Sequence, residues 1–114
     1  MKKTKMLKKN YEFKTVFDKG EFYGGKVISA FIRPNGLKTE DLLGLAISTK
    51  IGHAVTRNHI KRLLRECYKK FEDSIKPGYT MVFIWKKKAK TEQATYSQIE
   101  LDMKKILIKA NILN

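Results

Sequence analysis

A chain of 114 residues with 42% hydrophobic residues is long enough for one packed core and too apolar for wholesale disorder. Lys and Arg number 25 against 11 Asp and Glu, a formal net charge of +14 that repels itself unless RNA, DNA or an anionic membrane surface neutralises it. The single cysteine, Cys67, excludes an intrachain disulfide, and the longest apolar run, Met81 to Trp85, is far too short to span a bilayer.

Residues 1–114 read as a single domain, with residues 1–9 as a flexible basic arm. The arm has the charge of a signal-peptide n-region. Asn10, Glu12, Lys14 and Asp18 leave no apolar h-region behind it, so a soluble, cytoplasmic protein is expected. Asn10 is a candidate helix N-cap and Gly20 a stop; between them Phe13, Val16 and Phe17 recur at helical spacing, predicting a short amphipathic helix over Tyr11 to Lys19.

Gly24-Gly25 breaks the chain. Lys26 to Arg33 then alternates as a strand, with Ile28, Ala30 and Ile32 on the face expected to meet the core and Val27, Ser29, Phe31 and Arg33 on the other. Pro34-Asn35-Gly36 is a turn, and Leu42 to Ser48 a second strand, expected to pair with the first as an antiparallel hairpin. A helix follows and ends before Pro77-Gly78, with an apolar stripe of Ile60, Leu63, Leu64, Cys67 and Phe71. Tyr79 to Trp85 is a third strand, closed by Lys86-Lys87-Lys88 and Lys90. A last helix runs from Tyr96 to about Ala110, with Ile99, Met103, Ile106 and Ala110 inward. This order predicts an α+β fold: a two-layer α/β sandwich with three helices and a mixed sheet of about four strands.

The densest chemistry lies in Lys50 to Arg65, K-I-G-H-A-V-T-R-N-H-I-K-R-L-L-R. On a helical wheel, Arg57, Lys61, Arg65 and Lys69 share one arc beside the apolar stripe, with Arg62 at its far edge. The planar guanidinium fork binds phosphate bidentately and is weakly hydrated, which suits it to a polyanion. Asn58 can donate and accept, as a base edge or a 2′-hydroxyl requires. A solvated charged face is the bland alternative. It is disfavoured because Lys61, Arg62 and Arg65 have no Asp or Glu four residues before them.

These residues resemble the protein component of bacterial ribonuclease P. The resemblance rests on Lys50-Ile51-Gly52, Ala54-Val55 and the run Arg57-Asn58-His59-Ile60-Lys61-Arg62-Leu63-Leu64-Arg65. Leu7-Lys8-Lys9-Asn10, the spacing of Phe13, Val16, Phe17 and Gly20, and the strand Leu43 to Ser48 also match. Two positions depart: His59 stands where the family usually has Arg, and His53 where it usually has Asn.

The resemblance implies a ribosomal-protein-like fold with a left-handed βαβ crossover, where sequence rules alone predict a right-handed one. It implies an RNA-dependent endoribonuclease whose catalyst is an RNA subunit with bound Mg²⁺, no protein side chain being catalytic. Lys50, Arg57, Asn58, His59, Lys61, Arg62 and Arg65 would bind that RNA. Phe13, Phe17 and Phe31 would line a cleft for the single-stranded 5′ leader of precursor tRNA, with Lys50 and Arg33 as flanking cations. Unpaired bases stack on such rings with little sequence demand.

No obligate protein partner, membrane or protein-bound metal is expected. Cys67 lies on the apolar stripe, away from His59, and no C-x-x-C or H-x-x-x-H spacing occurs. Asp41, Asp73 and Asp102 are dispersed, which leaves a two-metal nuclease unsupported. Two other readings share the size, charge and layering: a non-catalytic structured-RNA binder such as a small ribosomal protein, and a DNA-binding architectural protein. A ribosomal protein needs the cationic face but no open single-strand platform.

Overall fold

Three apolar runs do produce three long strands, and two short ones join them in one sheet. The computed structural model describes residues 2–114. In chain order the elements are β1 (Thr4–Met6), α1 (Asn10–Lys19), β2 (Glu21–Gly24), β3 (Ile28–Pro34), β4 (Asp41–Ala46), α2 (Ala54–Phe71), β5 (Tyr79–Trp85) and α3 (Tyr96–Lys109). The sheet order is β1-β4-β5-β3-β2.

The expected hairpin between the first two long strands does not form. β5 lies between them, antiparallel to β3 (Ile28↔Trp85 to Pro34↔Tyr79) and parallel to β4 (Leu42↔Thr80 to Ala46↔Ile84). The reason is burial: Thr80 to Phe83 and Trp85 are buried, so this strand is apolar on both faces and takes the centre.

The hand of the β4–α2–β5 crossover follows from Leu43. Its side chain enters the core that includes Ile60, Leu64 and Met103. Its carbonyl turns to the β1 side, accepting from Leu7 N at 2.8 Å. Seen from the side-chain face with the strand running upward, the N–H and C=O of an L-residue point right. β1 is therefore right of β4 and β5 left, and α2, in front, carries the chain leftward. The crossover is left-handed, against the usual preference.

Two further strands correct the expected count of about four. Thr4–Met6, read from sequence as part of the basic arm, pairs parallel to β4 (Thr4↔Asp41 to Met6↔Leu43). Polar contacts hold it rather than an apolar stripe. The Thr4 and Tyr68 hydroxyls lie 2.8 Å apart, and Lys2 N and Lys3 N each donate to the Glu72 carboxylate at 3.3 Å. β2 pairs antiparallel to β3, with Phe22 opposite Phe31. The cap of α1 is Lys9 rather than Asn10, its N–H donating to the Glu12 carboxylate at 3.1 Å.

α2 and α3 pack on one face over the main core, and every residue of the expected α2 stripe is buried. In α3, Ile99, Met103 and Ile106 are buried as expected, with Ala110 half-buried. Asp102, also buried, accepts from Val27 N at 2.7 Å and Ile28 N at 3.1 Å, pinning the start of β3 to α3. α1 crosses the opposite face, where Val16 and Val82 form a second small core with Leu7. α1 leaves part of this face uncovered, with a cleft on each side of it.

Candidate nucleic-acid interface

The exposed flank of α2 carries the first surface. Arg57, Lys61 and Arg65 are half-buried and Lys69 is exposed, four residues apart along one ridge. Tyr68 shares this flank and touches Thr4 of β1, whereas Cys67 and Lys70 on the other flank contact Tyr96 and Glu100 of α3. The ridge therefore faces away from α3. Among the described residues, none of its four cations forms a salt bridge.

The remaining predicted RNA-binding residues sit differently. Asn58 and Arg62 are exposed on the outer face of α2. Arg62 is partly engaged within its own helix: Nη2 lies 3.3 Å from His59 Nδ1 and Nε lies 4.0 Å from the Glu66 carboxylate. His59, the partner of Arg62, also lines a small hollow with Thr91 and Glu92. Lys50 is exposed in the short 3-10 turn Thr49–Ile51 that leads into α2; its N–H donates to the Ser48 hydroxyl at 3.2 Å.

The second surface is on the α1 face. Phe17 and Phe31 meet edge to face, with centroids 5.1 Å apart at 90°. Phe13 is set deeper: an added Cβ at Gly44 would fall 2.6 Å from its Cε1, so the absent side chain is what seats the ring. Phe17 lines a cleft of about 560 Å³ on one side of α1, with Phe22, Ser29, Ala46, Ile84 and Lys87 among its other walls. Arg33 does not flank this cleft. It lines a separate one of about 510 Å³ across α1, with Tyr11, Thr15 and Asn35.

Sequence reasoning missed Phe22, Lys86 and Lys87 at this cleft. A signal existed: Glu21-Phe22-Tyr23 lies between Gly20 and Gly24-Gly25, and reading it as a strand hairpinned onto Phe31 would have put Phe22 opposite that ring. Burial pushes the Cys67 thiol up to about 12, with the Glu100 and Glu66 charges adding to it, and the residue sits wholly inside the core. Among the described residues, no three His, Cys, Asp or Glu side chains are grouped to hold a metal ion, and no helix is long and apolar enough to cross a membrane.

The family profile described as Ribonuclease P matches residues 1–111. The Ribonuclease P protein component of Clostridioides difficile (strain 630) is 34% identical, covering 96% of this chain and 95% of its own. That of Clostridium botulinum (strain Loch Maree / Type A3) is 35% identical, with 100% of both chains covered. The Staphylococcus aureus RNase P protein superposes with a TM-score of 0.82 at 27% identity, over 96% of this chain and 97% of that one. The Thermotoga maritima RNase P protein shares the fold with a TM-score of 0.81 at 24% identity, over 92% and 96%. The chain belongs to the ribonuclease P protein family, as the protein component of that RNA-containing endoribonuclease.

Proposed function

We propose that the Arg57–Lys61–Arg65 ridge binds the catalytic RNA, with Lys50, Asn58, His59 and Arg62 at its border. The cleft beside Phe17 and Phe31 holds the single-stranded 5′ leader of precursor tRNA, with Phe13 seating the helix above it. The observation that carries this reading is the placement of the two surfaces. The cations lie on the α2 layer and the rings on the opposite, α1 face of the same sheet. A chain built this way can hold one RNA on each side at once.

The ridge supplies phosphate contacts without sequence demand, and the rings supply stacking worth ~1–3 kcal/mol per base. Cleavage then frees the leader and leaves the mature 5′ end of tRNA. The protein contributes positioning and charge. Mg²⁺ belongs to the RNA subunit in this reading. The domain acts in the cytoplasm and needs no further protein partner. A ribosomal-type RNA binder would use the ridge and leave the ring cleft without purpose.

The test is reconstitution. Protein with its RNA should cut precursor tRNA at low Mg²⁺, and protein alone should not. Phe17→Ala should weaken binding of leader-bearing precursor and leave mature tRNA binding unchanged; equal losses on both would sink the cleft assignment.

A further inference from the structure

Phe22 is 57% exposed, the most exposed phenylalanine among the large hydrophobics left at the surface. A ring this open is unfavourable in water, yet the fold holds it in place. Its strand partner across β2 and β3 is Phe31, which puts both rings on the same face of the sheet, with centroids 5.2 Å apart at 63°. Gly24 lies beneath it: an added Cβ there would sit 3.4 Å from Phe22 Cε2 and 3.8 Å from Cζ. The ring thus rests on a bare backbone and on the edge of Phe31, which also meets Phe17. Phe31 braces both rings from behind without lining the cleft, and Phe17 and Phe22 are two walls open to it.

The charges around this wall are sorted. Lys86 is engaged, its Nζ donating to Gly25 O at 3.0 Å. Lys87 lines the cleft and is exposed, with no hydrogen bond or salt bridge among the described residues. Glu21, next to Phe22, is tied to the Tyr23 hydroxyl at 2.9 Å, and strand alternation turns it to the opposite face. None of the described residues lining the cleft is acidic.

We propose that Phe22 and Lys87 form an additional nucleotide subsite at the outer wall of this cleft, Phe22 stacking one more unpaired base and Lys87 taking its phosphate. This rests on the leader reading and extends it. The preorganised ring loses little freedom on binding, so the stacking is available in full.

The test uses the reconstituted holoenzyme and precursor tRNAs whose leaders lengthen one nucleotide at a time. Wild-type affinity should rise with leader length and then level off. Phe22→Leu, which keeps an apolar side chain without a stacking face, should level off at least one nucleotide sooner and bind the longest leaders roughly fivefold more weakly or worse. Phe22→Trp should retain wild-type behaviour. Lys87→Ala should flatten the salt dependence, by about 0.7 log units of slope, only for leaders long enough to reach the subsite. Mature tRNA binding and the thermal midpoint of each variant serve as controls. If Phe17→Ala loses leader-dependent affinity while Phe22→Leu tracks wild type, the Phe22 subsite is overturned and the cleft stands. If both variants track wild type, the leader cleft itself falls.

Discussion

Arg62 and Arg65 are three residues apart on one helix, and the structure predicts that they contribute unequally to RNA binding. Arg65 has no salt-bridge partner among the described residues, whereas Arg62 lies 4.0 Å from Glu66 and contacts His59. A cation that neutralises a phosphate releases counterions, and each such contact adds about 0.7–0.9 to the slope of log affinity against log salt. Arg65→Ala should therefore lower the slope by about that amount. Between 50 and 200 mM salt this changes the fold-loss of affinity by roughly a factor of three. Arg62→Ala should lower it by clearly less, because Glu66 already supplies part of the counter-charge and is released when Arg62 goes. Glu66→Gln should steepen the slope by freeing Arg62. The assay is equilibrium binding to the RNA subunit over a salt series, with wild type, the two alanine variants and Glu66→Gln side by side. An Arg62→Ala loss equal to that of Arg65→Ala, together with an unchanged slope for Glu66→Gln, would refute the reasoning.

Asp102→Ala should be severely destabilising, because the buried amides of Val27 and Ile28 both lose their acceptor at about 1–3 kcal/mol each. Thermal melts should show a drop of more than about 10 °C, and a loss below about 1 kcal/mol would count against the staple. Gly44→Ala should cost about 1–3 kcal/mol in urea denaturation, since the new methyl collides with Phe13 and approaches Leu7 Cδ1 at 3.0 Å; an unmoved midpoint would mean the ring yields freely. Burial holds the Asp41 carboxyl above the usual carboxylate range, although the Tyr79 amide, Lys3 and the Gly78 amide pull it down. A raised folded-state pKa contributes stability fully below the ordinary Asp value and loses it as pH rises through the raised one. Asp41→Asn should therefore gain on wild type as pH climbs from about 4 to 7, and a difference constant with pH would exclude this. His59→Arg adds a permanent charge and repels Arg62 from its intrahelical contact, so the salt slope for RNA should steepen by at least about 0.7; no change would show that this flank of α2 never meets phosphate.

Much of the fold was legible where periodicity is strong and long. The α2 stripe from Ile60 to Phe71 and the strand Tyr79–Trp85 are read correctly because each buries a repeating set of apolar side chains. What stayed hidden depends on partners distant in sequence. β1 is secured by Glu72 and Tyr68, some 64 to 70 residues away, and its own T-K-M carries no alternation. β2 is four residues long and ends in glycine. The pairing of β3 with β5 could not be read from either strand alone, since adjacency in sequence favours the hairpin that burial then rejects. The hand of the crossover opposes the general rule, and only the resemblance anticipated it.

The candidate site divides along the same line. Arg57, Lys61 and Arg65 were legible because a helix converts spacing directly into a shared face. The cleft was only partly legible because it is assembled from α1, β2, β3 and the ends of β4 and β5. Phe17 and Phe31 could be named without knowing that Phe22 stands beside them or that Arg33 lies beyond α1. This asymmetry has a physical origin. A phosphate-binding ridge tolerates imprecise placement, since charge acts over several ångströms and long side chains adapt. A stacking platform needs rings within contact of one another, which only tertiary structure supplies. Changes on the α2 ridge should therefore grade RNA affinity smoothly, one contact at a time. Changes at Gly24, Gly44 or Phe31 should disturb the ring cluster as a unit.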